Sequence, residues 1–438
     1  MKTMLMRASM LAVLFSGVIS AQDTTTSMRD YLAPEKSTRN VFEDPKVASP
    51  EYDGVKVSVG GDFALQFQGL DHWTENKNLG VVTGTTQPNY LNDMGNDFNL
   101  PTANLDINAY LAKGVKMHLR TYLSARHHNE AWVKGGYIQI DDLDFIKEGF
   151  MGDIMKHARV KVGMDEINYG DTHFRRTDNA RAITNPFVGN YIMDSFSTEA
   201  FGEVYGFYNN FLGMVGVSNG KLNQTAYKGT NWNSPSVYAK VGYDKQLNSD
   251  LRVRLTGSFI QTNGWNTGSY LYSGDRGGSR YYYVLLTAND AMGTSNYATG
   301  RFNPGFRKMQ AFQINPFIKY QGLEFFGVYE YVTGQKSLTA TKGNYTQLGA
   351  ELLYRFGGKE QFYVGGRYNT VNGKDNDTAD ERKIDRYNLG GGWFMTKNIL
   401  AKVEYVNQKY NNDPVWGATS ALRGGKFNGL MFEATIGF

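Results

Sequence analysis

The sequence contains no cysteine in its 438 residues, which excludes disulfide bonds, thiolate metal sites and cysteine nucleophiles. Proline is scarce, at 10 residues, and beyond the N-terminal segment no apolar run reaches the length of a membrane-spanning helix. A formal net charge of only +4 gives no reason to expect a nucleic-acid partner. Glycine, at 50 residues, and aromatic residues, at 14%, are plentiful, and with so little proline they favour a chain of many long strands.

The first residues have the features of a secretory signal peptide. Two basic residues, Lys2 and Arg7, precede a short apolar stretch that ends in small residues suited to cleavage. We therefore expect residues 1–21 to direct export and to be removed, with an N-terminal anchor helix as the alternative. Residues 22–54 are polar and show no periodicity, which predicts a flexible periplasmic extension.

From residue 55 onward the chain consists of segments in which apolar and polar residues alternate. Every second side chain of LMFEATIGF (430–438) is apolar, and LRVRLTGSF (251–259) has the same period of two. The segments are about ten residues long, which suits a tilted transmembrane strand and exceeds the usual strand of a sandwich. Aromatic residues such as Trp393 and Tyr405 lie near strand ends, as in membrane interface belts. The pattern predicts an all-β fold, a transmembrane antiparallel β-barrel.

Short turns and long loops alternate along this region, as they do on the two sides of a transmembrane barrel. With short periplasmic turns and long extracellular loops, residues 55–438 make 16 strands, and 263–307 is one long outer loop. The alternative is 18 strands, if 279–307 adds a hairpin. Phe438 is then the last outward residue of the closing strand, and we expect that strand to engage the barrel-assembly machinery.

The inward face of the barrel carries most of the charge. A barrel of this size encloses an aqueous channel, so inward side chains decide which solutes pass. The inward basic residues are Lys116, Arg120, Arg159, Lys161, Lys240, Arg252, Arg254, Arg355, Arg367, Arg386 and Lys402. They outnumber the inward acids that the alternation identifies, which predicts a weak anion preference. Pairing of these charges across the wall is the alternative.

A long loop at 171–197 is the most distinctive connection. Its charged residues include Arg175, Arg176, Asp178, Arg181 and Asp194. It also contains apolar residues, such as Phe187 and Ile192, that a merely solvated loop would not need. We expect this loop to fold into the barrel and form the pore constriction, where arginine forks suit phosphate or carboxylate groups. An extracellular loop packed on its neighbours is the alternative.

The sequence gives little reason to expect an enzyme. None of its six histidines lies in a recognisable catalytic motif, and His127 and His128 are adjacent, so on a strand they would face opposite ways. The glycine-rich stretch 274–280 lacks the lysine of a phosphate-binding loop. We expect no catalytic residue, metal or cofactor. A barrel-embedded hydrolase remains an alternative, as does a sugar-selective or receptor-type barrel that uses Tyr281, Tyr282 and Tyr283.

The chain resembles a Gram-negative outer-membrane porin in three features: the signal peptide, the segment RRTDNARAITNPFVGNYIMDSFSTEAFGEVYGF (175–207) and the terminal MFEATIGF. More narrowly, it resembles the phosphate-selective porin O/P family of Bacteroidetes-type bacteria. The resemblance implies a 16-stranded barrel over residues 55–438, a homotrimer in contact with outer-membrane lipid and lipopolysaccharide, and passive diffusion of small hydrophilic solutes. Phosphate and small carboxylates are the solutes it implies. The best-known members carry an ordered ladder of arginines and a lysine, which this sequence does not match.

Overall fold

The computed structural model describes residues 27–32, 40, 42–124, 130–221, 234–263, 271–273, 278–291, 294–337 and 339–438. Sixteen strands of this part of the chain form a closed antiparallel barrel, and the predicted fold class is confirmed. The strands are β1 (Lys56–Thr74), β2 (Thr102–Ala112), β3 (Val115–Ser124), β4 (Glu130–Ile140), β5 (Ala158–Glu166), β6 (Thr198–Tyr208), β7 (Phe211–Ser218), β8 (Ser234–Gln246), β9 (Leu251–Asn263), β10 (Lys308–Tyr320), β11 (Leu323–Gln335), β12 (Gly343–Phe356), β13 (Phe362–Lys374), β14 (Arg382–Thr396), β15 (Ile399–Tyr410) and β16 (Gly425–Gly437).

The barrel closes through β1. This strand pairs with β16 along its outer part and with β2 along its first residues, while every other strand pairs with its neighbours in sequence. A two-residue segment, Asp97–Phe98, also pairs with β1. Between β9 and β10 the described residues contain one 3-10 turn, Thr294–Ala298, and no strand. The alternative of 18 strands is therefore wrong, because the described residues of this region add no hairpin to the sixteen strands.

Helical structure in the described residues is limited to single turns. The α-helices are Met28–Tyr31, before the barrel, and Gly152–Met155, in the connection between β4 and β5. Two further 3-10 turns are Thr172–Phe174 and Pro414–Trp416. No helix in these parts of the chain has the length and apolar character that crossing a membrane requires.

The two faces of the wall differ as the alternation predicts. On β12, outward Leu352 is 54% exposed, whereas inward Glu351 is fully buried. Aromatic rings stack from strand to strand near the short turns, with centroids 5.6 Å apart for Phe356 and Phe362 and 6.0 Å apart for Phe362 and Trp393. Such a row suits the boundary between lipid tails and water.

The core of the protein lies inside the barrel, because three segments enter the lumen. We call residues 40 and 42–49 the strap, residues 167–197 the inward segment and residues 278–285 the mouth segment. Phe42 of the strap packs against Phe174 of the inward segment and Phe317 of β10. The sequence predicts a flexible extension for 22–54, but within it the strap is docked in the lumen. The predicted signal peptide, residues 1–21, lies outside the described residues.

Candidate functional site

The inward segment leaves the wall after β5 and returns to it at β6. Every residue from 167 to 199 is buried. Because the segment has no strand neighbours over most of its length, its backbone groups need partners elsewhere. Lys402 of β15 supplies three of them, donating from Nζ to the carbonyl oxygens of Ala182, Asn185 and Phe187 at 2.9, 3.1 and 3.0 Å.

Arg175 links the inward segment to one side of the wall. Its guanidinium donates to Glu324 of β11 at 2.7 Å and to Glu351 of β12 at 3.0 Å. Burial alone would lower the pKa of Arg175, but the two carboxylates outweigh it and hold the pKa above the ordinary arginine value. Arg175 is therefore a permanently charged crosslink.

Arg181 links the same segment to the other side of the wall. Its guanidinium contacts Asp62 of β1, with Nε at 3.1 Å, and also Asp106 of β2. Since Arg175 binds β11 and β12, the segment spans the lumen from one wall to the other.

The sequence analysis placed three more residues in the pore constriction: Arg176, Asp178 and Asp194. Asp178 accepts from Lys134 of β4 at 2.8 Å and contacts the hydroxyl of Tyr122. Arg176 binds Asp194 through two parallel hydrogen bonds of 2.7 and 2.8 Å, inside the segment itself. The structure thus brings all five residues into the lumen, but each is engaged by a partner of opposite charge.

Most of the lumen-lining bases expected from the sequence have similar partners, whereas Arg386 donates to Gln408 and to the carbonyl oxygens of Asn190 and Gly300. Contacts to carboxylates join Lys116 to Asp44, Arg120 to Asp106, Arg159 to Asp141, Lys240 and Arg254 to Asp171, Arg252 to Asp244, Arg367 to Glu351, and Lys402 to Glu433. Lys161 lies over the rings of Tyr137 and Tyr205, at 4.5 and 5.9 Å. The basic surplus counted from the sequence is therefore largely balanced by acids that the count omitted.

The mouth segment closes the lumen from the side of the long loops. Arg280 donates to Glu433 at 2.7 Å, and the hydroxyl of Tyr281 donates to Glu404 at 2.6 Å. Tyr282 exchanges two hydrogen bonds with Gln68, through its backbone N–H and carbonyl groups. The rings of Tyr281 and Tyr282 are fully buried, so in this conformation they offer no surface to a sugar.

The strap enters from the side of the short turns. The Glu43 carboxylate lies 2.7 Å from Lys240 Nζ and 2.7 Å from Arg254 Nη2. Burial raises the pKa of this carboxyl, but Arg254 and Lys240 outweigh it, and the pKa lies well below the ordinary glutamate value. Asp171 of the inward segment contacts the same two cations, which lower its pKa for the same reason.

Little open space remains where the strap meets the inward segment. A cavity of about 40 Å³ lies there, lined by His118, Lys161, Glu203 and other polar side chains. Space of this kind holds one water molecule per about 10–15 Å³, so the cavity accommodates only a few. The described residues therefore leave room for only a few water molecules between the strap and the inward segment.

No family model and no curated protein matches the chain. Its fold is similar to that of an anion-selective porin from Comamonas acidovorans, with a TM-score of 0.52 and 11% identity over 88% of this chain and 100% of that one. OprB of Pseudomonas putida gives a TM-score of 0.50 and 10% identity over 88% of this chain and 94% of that one. A trimer form of Vibrio cholerae OmpT gives 0.50 and 10%, over 88% and 100%. At such low identity the likeness establishes an outer-membrane porin fold and does not extend to solutes.

Several functional residues escaped sequence reasoning. Glu433 lies on the inward face of the closing strand, where the alternation in MFEATIGF was sufficient to find it. Phe42 and Glu43 have no such signal, because their partners lie in strands and loops far along the chain. The described histidines belong to no metal-ligand group, and His127 and His128 lie outside the described residues.

Proposed function

We propose that the chain is a Gram-negative outer-membrane porin that lets small hydrophilic solutes diffuse passively through its lumen. The observation that carries the proposal is the contrast between an apolar outward face and a charged inward face on the same strands. The segments inside the lumen are held by charged groups and hydrogen bonds together with buried apolar side chains such as Phe187 and Ile192. Water can replace the polar contacts, whereas it cannot replace apolar packing at low cost. The charged inward faces of the strands can therefore become hydrated when the segments shift.

The inward segment sets the constriction in this proposal. Arg175, Asp178 and Arg181 anchor it to the wall, and the pair of Arg176 with Asp194 holds its central part in shape. Solutes with phosphate or small carboxylate groups suit arginine forks. Because these arginines already bind carboxylates, we expect no more than a weak preference for anions.

We further propose the setting of a typical porin. Residues 1–21 direct export, the closing strand engages the barrel-assembly machinery, and the apolar outward face contacts outer-membrane lipid and lipopolysaccharide. A homotrimer is the proposed assembly, in which part of that outward face is covered by neighbouring copies. Cross-linking in native outer membranes tests the assembly, and a monomer would contradict it.

Planar-bilayer recording of the purified full-length chain tests the function. We expect small conductance steps, because the strap, the inward segment and the mouth segment occupy much of the lumen. The variant carrying both Phe42→Ser and Glu43→Gln loosens the strap without altering a strand, and its steps should be larger. Ala48→Ser, at an exposed strap position, is the control. In a salt gradient the reversal potential should indicate slight anion preference, and clear cation selectivity would contradict the proposal.

A receptor-type barrel is the second candidate, and the filled lumen favours it. A cavity of about 450 Å³ near the outer mouth is lined by Leu285, Asn289, Arg301, Leu422 and neighbouring residues, and it could receive a ligand without any passage through the barrel. The same recordings separate the two candidates. If neither the wild-type chain nor the loosened-strap variant conducts, the receptor interpretation replaces the porin.

A further inference from the structure

Glu43 of the strap occupies a preformed carboxylate site. Its two carboxylate oxygens lie 2.7 Å from Lys240 Nζ of β8 and 2.7 Å from Arg254 Nη2 of β9. Asn168 of the inward segment adds a third donor, with Nδ2 at 3.1 Å from Oε1. The Glu43 side chain is only 6% exposed. Two cations and an amide therefore surround one carboxylate in a nearly dry setting, where charge-assisted hydrogen bonds are strong.

An aromatic pocket adjoins the carboxylate site and is filled by the preceding residue. The Phe42 ring is edge-on to Phe174 and Phe317, with centroids 5.7 and 5.4 Å apart. The guanidinium of Arg254 lies 4.2 Å from the centre of the same ring. Arg254 thus contacts both the ring of Phe42 and the carboxylate of Glu43, which joins the two subsites.

The charges around the site balance only while Glu43 is present. Lys240, Arg252 and Arg254 are linked through direct contacts to Asp171 and Asp244. Without Glu43 these groups are three cations and two carboxylates, and one positive charge is left. The vacated site would therefore attract one carboxylate, and an uncharged occupant would leave the buried charge uncompensated.

The strap is held by contacts that can exchange. It forms no strand pairing. Beyond Phe42 and Glu43 its contacts are mostly polar, such as Asp44 with Lys116 at 3.4 Å and Lys46 Nζ with the Asp141 carbonyl oxygen at 2.6 Å, and Val47 adds apolar packing. An incoming solute that reproduces the contacts of Phe42 and Glu43 can compete with the strap.

We propose that Phe42 and Glu43 occupy a ligand-binding site of the protein. When they leave it, the site binds a small organic carboxylate carrying an apolar or aromatic group. Binding of that solute displaces the strap and opens the side of the lumen near the short turns. The inference rests on the proposed porin function, because the solute reaches the site through the lumen.

Calorimetric titration of the detergent-solubilised full-length chain tests the inference without relying on conductance. The probe is N-acetyl-Phe-Glu-amide, which carries a single carboxylate, and N-acetyl-Phe-Gln-amide is its uncharged match. Glu43→Gln removes the competing carboxylate. If the strap occupies the site about nine-tenths of the time, this change should tighten probe binding about tenfold. The uncharged peptide should bind neither the wild type nor the variant measurably.

Two double variants locate the binding. Adding Lys240→Gln to Glu43→Gln leaves two cations and two carboxylates in the network, so the barrel should fold while probe binding is lost. Lys319→Gln in the same background removes a lysine that pairs with Glu360 rather than with the strap, and it should leave binding unchanged. Equal probe affinity in the wild type and Glu43→Gln, or equal binding of the two peptides, would overturn the inference. Probe binding without any conductance would instead refute the porin function and leave the carboxylate site standing.

Discussion

Replacing Arg175 by alanine should destabilise the barrel although no strand is altered. The change leaves Glu324 and Glu351 buried without the guanidinium that joins them, and both carboxylates are fully buried. Removing one partner of a buried ion pair typically costs about 3–5 kcal/mol. Here each acid keeps a second arginine, because Arg355 binds Glu324 at 2.9 Å and Arg367 binds Glu351 at 2.8 Å. We therefore expect a loss near the lower end, about 3 kcal/mol.

Urea unfolding of the chain in lipid vesicles, followed by tryptophan fluorescence, measures this loss. The control is Lys319→Ala, which breaks a pair with Glu360 at 2.7 Å between side chains that are 25% and 30% exposed. Such partly exposed pairs contribute about 0.2–1 kcal/mol. Glu324→Gln and Glu351→Gln, added to Arg175→Ala, should lower the stability further, because they leave Arg355 and Arg367 buried without their carboxylate partners. A loss for Arg175→Ala no larger than that of Lys319→Ala would refute the reasoning.

Three further predictions concern the lumen and the closing strand. The carboxyl pKa values of Glu43 and Asp171 are lowered, so their ion pairs are fully formed above the ordinary carboxyl pKa of about 4 and are lost only as the pH falls through the lowered values. The resistance of the strap to proteolysis should therefore stay constant from pH 5 to 8, and release of the strap within that range would contradict the assignment. Gly189→Ala should displace the mouth segment, since a Cβ there would lie within van der Waals overlap of the Tyr281 hydroxyl; faster proteolysis of the mouth segment than in the wild type checks this, and an unchanged rate would oppose it. Deletion of Phe438, whose backbone pairs with Gly61, should reduce insertion in cells, and a normal outer-membrane yield would show that this residue is dispensable.

The tertiary contacts also correct an expectation about the arginines of the inward segment. The sequence suggests that replacing Arg175, Arg176 and Arg181 together would widen the pore and leave folding intact, because none of them lies in a strand. The structure shows that these side chains neutralise buried carboxylates on opposite walls and within the segment. The triple replacement therefore costs stability as well as altering the lumen.

The strands of the barrel wall, and the face to which each of their side chains points, can largely be predicted from the sequence. Successive side chains of a strand point to opposite faces of the sheet. The period of two therefore assigns each side chain to a face from local sequence alone. Leu430 and Phe432 point outward and are about half exposed. Glu433, the residue after Phe432, points inward and is buried. Because neighbouring strands in this barrel are also neighbours in sequence, apart from the closure at β1, the strand count follows from the turns and loops.

The contents of the lumen depend on contacts that no local pattern reveals. Arg175 meets Glu324 and Glu351 at sequence separations of 149 and 176 residues, and Arg254 meets Glu43 at 211. Whether an inward charge has a partner depends on two things. One is its position along the barrel axis, which the strand register sets, and the other is which segment crosses the lumen at that level. The sequence alone determined the barrel and the faces of its strands, since these follow from backbone geometry. Only the tertiary structure decided that most of the inward charges are paired and that three segments occupy the lumen, since ion pairing is set by distance in space.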